Sequence, residues 1–214
     1  MNSVSNILLP TAYFPPVSYF ASLLHSESIL IEQMESFPKQ TFRNRCEILT
    51  SSGKLNLVVP VSKPDGNHTF TKDILISYRE PWNHHHWKSI QTAYRSSPYF
   101  NYYTDIFQPL FESTETSLLE HNREILSVLC KVLKLKLSVT FTDDYFKQPD
   151  NTLDLRLEIT PKKSRPGLSF PEYQQVFSHL SGFIEDLSIL DLLFNKGPDT
   201  IEYLRSLPGL QFRS

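Results

Sequence analysis

The chain has 214 residues, 40% hydrophobic and 13% aromatic, enough for the core of one compact domain spanning 1–214. A formal charge of −2 gives no global basic field to attract nucleic acid. No run of about 20 apolar residues is present to span a membrane, and residues 1–14 lack the basic leader and small-residue cleavage site of a secretory signal. A cytoplasmic protein is expected.

Asn6-Ile7-Leu8-Leu9, stopped by Pro10, reads as a first buried strand. Pro15-Pro16 forces an extended turn, and Pro16 suits the first turn of a helix over 17–25 with Val17, Phe20, Leu23 and Leu24 at helical spacing. Ser28 to Gln33 is a second strand. This βαβ opening predicts two parallel strands. Phe42 to Thr50 and Leu55 to Val61 flank Ser51-Ser52-Gly53-Lys54 and predict an antiparallel hairpin. Asp73 to Tyr78 is a further strand. The expected class is α/β, with a mixed sheet, a hairpin insertion, and a helical middle and C-terminal part.

Helices are predicted over Asn83–Ser96, Tyr99–Phe111 and Ser117–Leu133. The last carries a stripe of Leu118, Leu119, Asn122, Ile125, Leu126, Leu129, Val132 and Leu133 that reads as core packing. Leu137 to Phe141 is a late strand. Residues 143–168 form a long polar loop, within which Leu153–Ile159 is a strand or a short helix. Residues 169–214 read as helices. One starts at the capping box Ser169-x-x-Glu172 and stops at Gly182, another starts at Ser188-x-x-Asp191, and the last opens at Pro198.

Strand alternation through Lys39 to Leu49 puts Arg43, Arg45 and Glu47 on one face. Phe42, Asn44, Cys46 and Ile48 fall on the other. Arg43 and Arg45, with Lys39 just upstream, can pair with carboxylate or phosphate, or they can be the solvated face of an edge strand. A hairpin folded over the C-terminal end of the sheet would bring these cations to the Pro10–Pro16 turn, where open α/β sheets bind ligands. The helix after Pro16 would add its N-terminal amides. Asn44 is the amide on the apolar face and suits a buried anchor or a hydrogen bond to ligand. Glu32, Gln33 and Glu35 either orient a sugar or amine or form a polar strand exit. The basic loop Lys162–Gly167 is a lid or a solvated loop.

His84-His85-His86 cannot converge on one metal ion, because neighbours on a helix point about 100° apart. His86 is the one predicted to face inward, on the side leading to Ile90 and Tyr94, where an imidazole can move a proton. Cys46 and Cys130 have no CxxC spacing and read as reduced core thiols. No Walker loop, GxGxxG, HExxH or GxSxG motif occurs, and no motif names a cofactor.

Several segments in order carry a resemblance. They are Thr11-Ala12-Tyr13-Phe14-Pro15-Pro16-Val17-Ser18-Tyr19-Phe20, Glu32-Gln33-x-Glu35, Lys39-Gln40-Thr41-x-Arg43-Asn44-Arg45 and Leu57-Val58-Val59-Pro60-Val61. To these add Trp82 with His86-Trp87, Tyr94 to Phe100, and Ser188 to Pro198. Together they resemble the WbqC-like protein family of bacteria over nearly the whole chain. Many relatives have Gln-Pro before the aromatic pair, where this chain has Pro10-Thr11. The resemblance implies surface-polysaccharide (O-antigen-like) biosynthesis, with acyl or aminoacyl transfer to a nucleotide-linked amino sugar. The enzyme reading of these residues takes Tyr13, Gln33, Lys39, Arg43, Asn44 and Arg45 as substrate contacts and His86 as the catalytic acid or base. The strand–turn–helix–strand opening also resembles the HIGH-type nucleotidyltransferase-like, Rossmann-type fold, whose histidines are replaced around Tyr13 and Tyr19.

Two readings stay open. One is an enzyme, a transferase that binds an anionic small molecule or nucleotide sugar. The other is a non-catalytic binding or scaffolding protein of a polysaccharide-biosynthesis assembly, using exposed Tyr99, Tyr102 and Tyr103 as a contact surface.

Overall fold

The computed structural model describes residues 4–147, 151–162 and 168–208 of the chain. In chain order the elements begin with β1 (Val4–Pro10), α1 (Val17–Leu24) and β2 (Ser26–Glu32). A 3-10 turn over Phe42–Asn44 leads into β3 (Arg45–Thr50) and β4 (Gly53–Val58), then β5 (Val61–Ser62) and β6 (Leu75–Ile76). The helical middle is α2 (Trp82–Tyr94), α3 (Phe100–Glu112) and α4 (Leu118–Val132). β7 (Val139–Phe141) and β8 (Leu153–Asp154) follow, then α5 (Ser178–Ser181), α6 (Ile189–Lys196) and α7 (Thr200–Ser206).

The β1–α1–β2 opening is parallel, with Ile7 opposite Ile29 and Leu9 opposite Ile31. Continuous apolar runs suit strands buried on both faces, and Ile7, Leu8, Leu9, Ile29 and Ile31 are all buried. β7 adds in parallel to β2, and β8 adds in parallel to β1. The four-stranded sheet has the order β7-β2-β1-β8. The chain therefore steps outward from β1 through β2 to β7, then returns to the far side of β1. In open parallel sheets the carboxyl ends at such a reversal form the ligand crevice.

The expected single mixed sheet resolves into separate ladders. β3 and β4 form their own antiparallel hairpin and β5 and β6 another, neither joined to the parallel sheet. Three further expectations are corrected. The 42–50 strand starts only at Arg45, because Phe42–Asn44 closes as a 3-10 turn. The 73–78 strand shrinks to Leu75–Ile76 after a 3-10 turn at Thr71–Asp73. The helix expected from Ser169 to Gly182 is one turn, Ser178–Ser181, ended by Gly182 at φ +70°. Between Leu153 and Ile159 the strand alternative forms, but only over two residues. Residues 163–167 of the basic loop lie outside the described residues.

α4 shows how the sequence sets an element. The Ser117 hydroxyl accepts from the Glu120 amide and caps the first turn. Leu118, Leu119, Asn122, Ile125, Leu126 and Leu129 are buried. No helix among the described residues is long and apolar enough to cross a membrane.

Candidate functional site

The β1–α1 turn, residues 11–16, is held from several sides. The Tyr13 amide donates to the Phe42 carbonyl at 2.8 Å, which docks the hairpin root on the turn as the sequence implied. The Ser188 hydroxyl donates to the Phe14 carbonyl at 3.0 Å, and the Ile189 amide to Pro15 at 2.8 Å. The Asn122 amide nitrogen reaches both Thr11 Oγ1 (3.2 Å) and the Arg43 carbonyl (2.8 Å). Phe14 sits at φ +38°, a left-handed value that a bulky residue adopts only where its surroundings over-determine it. It is fully buried and stacks on Phe111 at 5.4 Å.

The N-terminus of α1 is already filled. The Ser18 amide and hydroxyl donate to the two carboxylate oxygens of Asp186 at 2.8 and 2.9 Å. The Val17 amide donates to the Leu187 carbonyl at 3.0 Å. A helix start favours negative charge, and the chain supplies its own. The expectation that these amides wait for a ligand anion is corrected accordingly.

Two polar clusters flank the turn. The first sits on the carboxyl ends of the strands. Glu32 ends β2 and Asp154 ends β8, while Thr142 follows β7 and Arg156 lies just past β8. Arg156 donates to both oxygens of Asp154 through Nε and Nη2, the latter at 2.7 Å, and to Glu32 Oε2 through Nη1 at 2.9 Å. Thr142 Oγ1 donates to Glu32 Oε1 at 2.7 Å. Arg43 Nε donates to Glu35 Oε1 at 2.7 Å, and its Nη2 reaches the Arg156 carbonyl at 3.4 Å. Glu32 and Arg43 are 0% exposed and Arg156 is 4% exposed. Burial pushes the Glu35 carboxyl up while Arg43 holds it down; burial likewise lowers the Arg43 guanidinium against the pull of Glu35. Arg43 Nη1 is buried with no partner. Tyr145 lies over the Arg156 guanidinium at 5.0 Å and is exposed, as is Phe146.

The second cluster is aromatic. The Tyr13 hydroxyl and His86 Nδ1 are hydrogen-bonded at 2.9 Å. Either the hydroxyl donates to Nδ1 or an Nδ1–H donates to the hydroxyl, according to the imidazole tautomer. Trp82 packs on His86 at 5.1 Å, and His121 stacks on Tyr13 at 6.0 Å. Burial lowers His86 and His121 to about 4, so both are neutral near pH 7. The Tyr13 hydroxyl is pushed well above its ordinary range by the same burial.

The predicted residues divide as follows. Of the three histidines His86 is the buried one, with His84 and His85 exposed. Its Nδ1 is engaged by the Tyr13 hydroxyl. Tyr13 is its partner. Gln33 links β2 to β7, its amide donating to Thr142 Oγ1 and its Nε2 to the Thr142 carbonyl. Arg43 does not share a polar face with Arg45: the 3-10 turn rotates it inward onto Glu35. Asn44 donates to the Val59 carbonyl at 2.9 Å and is the buried anchor. Arg45 is half-buried, with its Nε unpartnered. Lys39 is exposed. Cys46 is core, its thiol raised by burial. Asp154, Arg156, Thr142 and His121 were not anticipated, and Asn122 was read only as part of the α4 core stripe. The one local signal was Asp154-Leu155-Arg156, opposite charges two apart in a strand-like stretch.

A cleft of about 10 Å³, room for one water, opens beside Thr11, Asn122 and Phe141. Asn122 Oδ1 is buried there without a partner. A roomier groove of about 390 Å³ runs between α2 and the β3–β4 hairpin, lined by His85, Lys88 and Phe177 among others. It contains no residue of either cluster.

The fold and the edge cluster define an α/β protein with buried, paired charges at the carboxyl ends of a parallel sheet. The chain belongs to the WbqC-like protein family, which matches residues 11–165. It is similar to the uncharacterized protein Rv1507c of Mycobacterium tuberculosis, 26% identical over 223 residues that cover 92% of this chain and 96% of that protein. No solved structure matches.

Proposed function

We propose that the protein is a cytoplasmic transferase of surface-polysaccharide biosynthesis, moving an acyl or aminoacyl group onto a nucleotide-linked amino sugar bound at the carboxyl edge of the sheet. The observation that carries this is the Glu32, Glu35, Arg43, Asp154 and Arg156 cluster at the strand-order reversal. Burying charge is costly even when paired. Such an expense is usual where a site must orient a ligand, and perturbed carboxyls cluster at working sites. Family membership supports the polysaccharide context. A nucleotidyltransferase-like core is the fold reading in keeping with the order β7-β2-β1-β8.

In this reading Glu35 and Asp154 meet the substrate. Tyr13, His86, Asn44 and Gln33 hold the turn and strand ends in place, and Lys39 and Arg45 form the outer rim. The scaffolding alternative loses much of its surface, since Tyr103 is buried and only Tyr102 of the three tyrosines is fully exposed. A thermal-shift screen of nucleotide sugars, acyl-CoAs and free nucleotides tests the proposal, because a ligand of the native state raises apparent stability. A nucleotide sugar is expected to raise the unfolding temperature. No rise from any class at millimolar concentration would count against an enzyme.

A further inference from the structure

Resting on the transferase reading above, we infer which part of the substrate the edge cluster receives: the hydroxyl and amine face of the sugar ring, with the phosphates kept outside. Four observations converge on this. First, apart from Arg43 Nη1, every guanidinium nitrogen of the cluster already has a partner. Arg156 gives Nε and Nη2 to Asp154 and Nη1 to Glu32, while Arg43 gives Nε and Nη2 to Glu35. Phosphate is held by free forks, and none is left here among the described residues.

Second, the described cluster sets three carboxylates, Glu32, Glu35 and Asp154, against two guanidinium groups. An entering phosphate meets an excess of its own sign, whereas a hydroxyl or ammonium meets acceptors. Asp154 is the accessible one, its side chain 38% exposed while its oxygens face Arg156. Third, the other anion site of this edge, the start of α1, is closed by Asp186.

The fourth observation points to a ring. Tyr145 is 54% exposed and lies over Arg156 at the mouth of the cluster. Its outer face offers an apolar, polarisable surface against which the C–H face of a sugar packs, while the ring's hydroxyls turn toward Asp154. Arg43 Nη1, wholly buried and unpartnered inside the same cluster, is the donor left over for a ring or amide oxygen. A buried guanidinium nitrogen with nothing to bind is costly, and a ligand acceptor relieves it.

Calorimetric titration of the full chain tests the inference, with UDP-N-acetylglucosamine, UDP-glucose, the two free sugars and UDP as probes. A sugar-bearing probe is expected to bind more tightly than UDP. Asp154→Asn should weaken it by about tenfold, the worth of a charged hydrogen bond, and leave UDP unchanged. Tyr145→Ala, at an exposed ring whose loss does not threaten folding, should weaken the same probe by about fivefold. UDP binding as well as its sugar conjugates, with Asp154→Asn tightening all of them, would overturn the inference and leave the transferase reading standing. Free sugars binding in an Asp154-dependent way, with no nucleotide form bound, would keep the inference and remove the nucleotide carrier. Silence from every probe would remove both.

Discussion

The two clusters beside the β1–α1 turn handle burial in opposite ways. Around Tyr13 and His86 the groups are neutral, packed within aromatic walls and kept uncharged by desolvation, with Trp82 Nε1 and His121 Nδ1 buried without a partner. Around Arg43 and Arg156 the groups are ionic, paired with carboxylates, and open to solvent at Asp154 and Tyr145. The neutral cluster fixes where the turn sits. The charged one keeps residual hydrogen-bonding capacity at the edge where a parallel sheet receives ligands. Position and capacity are thus divided between them, and substitutions should separate the two.

The largest effect is expected at the buried ion pair. Arg43→Met strands Glu35 and should lower stability in urea by about 3–5 kcal/mol. Combining it with Glu35→Gln should recover part of that loss, since the two side chains share one interaction. Equal and additive losses would mean that the pair is not coupled.

Acid comes next, and it acts on the aromatic cluster. His86 and His121 titrate at about 4 in the folded chain against an ordinary 6.5. The unfolded chain therefore binds protons first. Stability is full above pH 6.5 and falls as pH drops toward 4, by about 2 kcal/mol per histidine at pH 5. Denaturation of His121→Phe at pH 7 and pH 5 isolates one of the two: the variant should lose about 2 kcal/mol less than wild type over that interval. A parallel loss would show that His121 is not held neutral.

Tyr13→Phe leaves His86 Nδ1 without its hydrogen-bond partner and should cost about 1–2 kcal/mol by thermal unfolding, with no change in sugar affinity beyond that of a shifted turn. The smallest effect sharpens the contrast. Lys39 is exposed and joins neither cluster, so Lys39→Ala should change stability by less than about 0.5 kcal/mol.

Much of the frame was legible. β1, α1 and β2 announce themselves through apolar runs and a Pro-Pro turn, and α4 through its stripe and capping serine. The inward choice of His86 follows from helical spacing with Ile90 and Tyr94. What was hidden depended on distant partners. β8 is two residues long, and its pairing of Leu153 with Ile7 and of Asp154 with Leu8 decides between the strand and the short helix that the sequence left open. Arg156 meets Glu32 across 124 positions of sequence, which no local pattern encodes. Arg43 escaped the alternation rule because a 3-10 turn precedes β3 and turns its side chain into the core. The helix missing after Ser169 carried sound capping residues, but only Ser178–Ser181 took up helical geometry; Gln175 instead pairs with Asp191 and with the backbone of Ile184.

The central claim is the place of the site, and amide chemical-shift mapping tests it most directly. On titration with UDP-N-acetylglucosamine, the perturbed amides should gather at residues 11–14, 32–36, 142–146 and 154–157, around the strand ends. Shifts gathered instead at residues 50–55 and 85–93, along the groove between α2 and the β3–β4 hairpin, would contradict it.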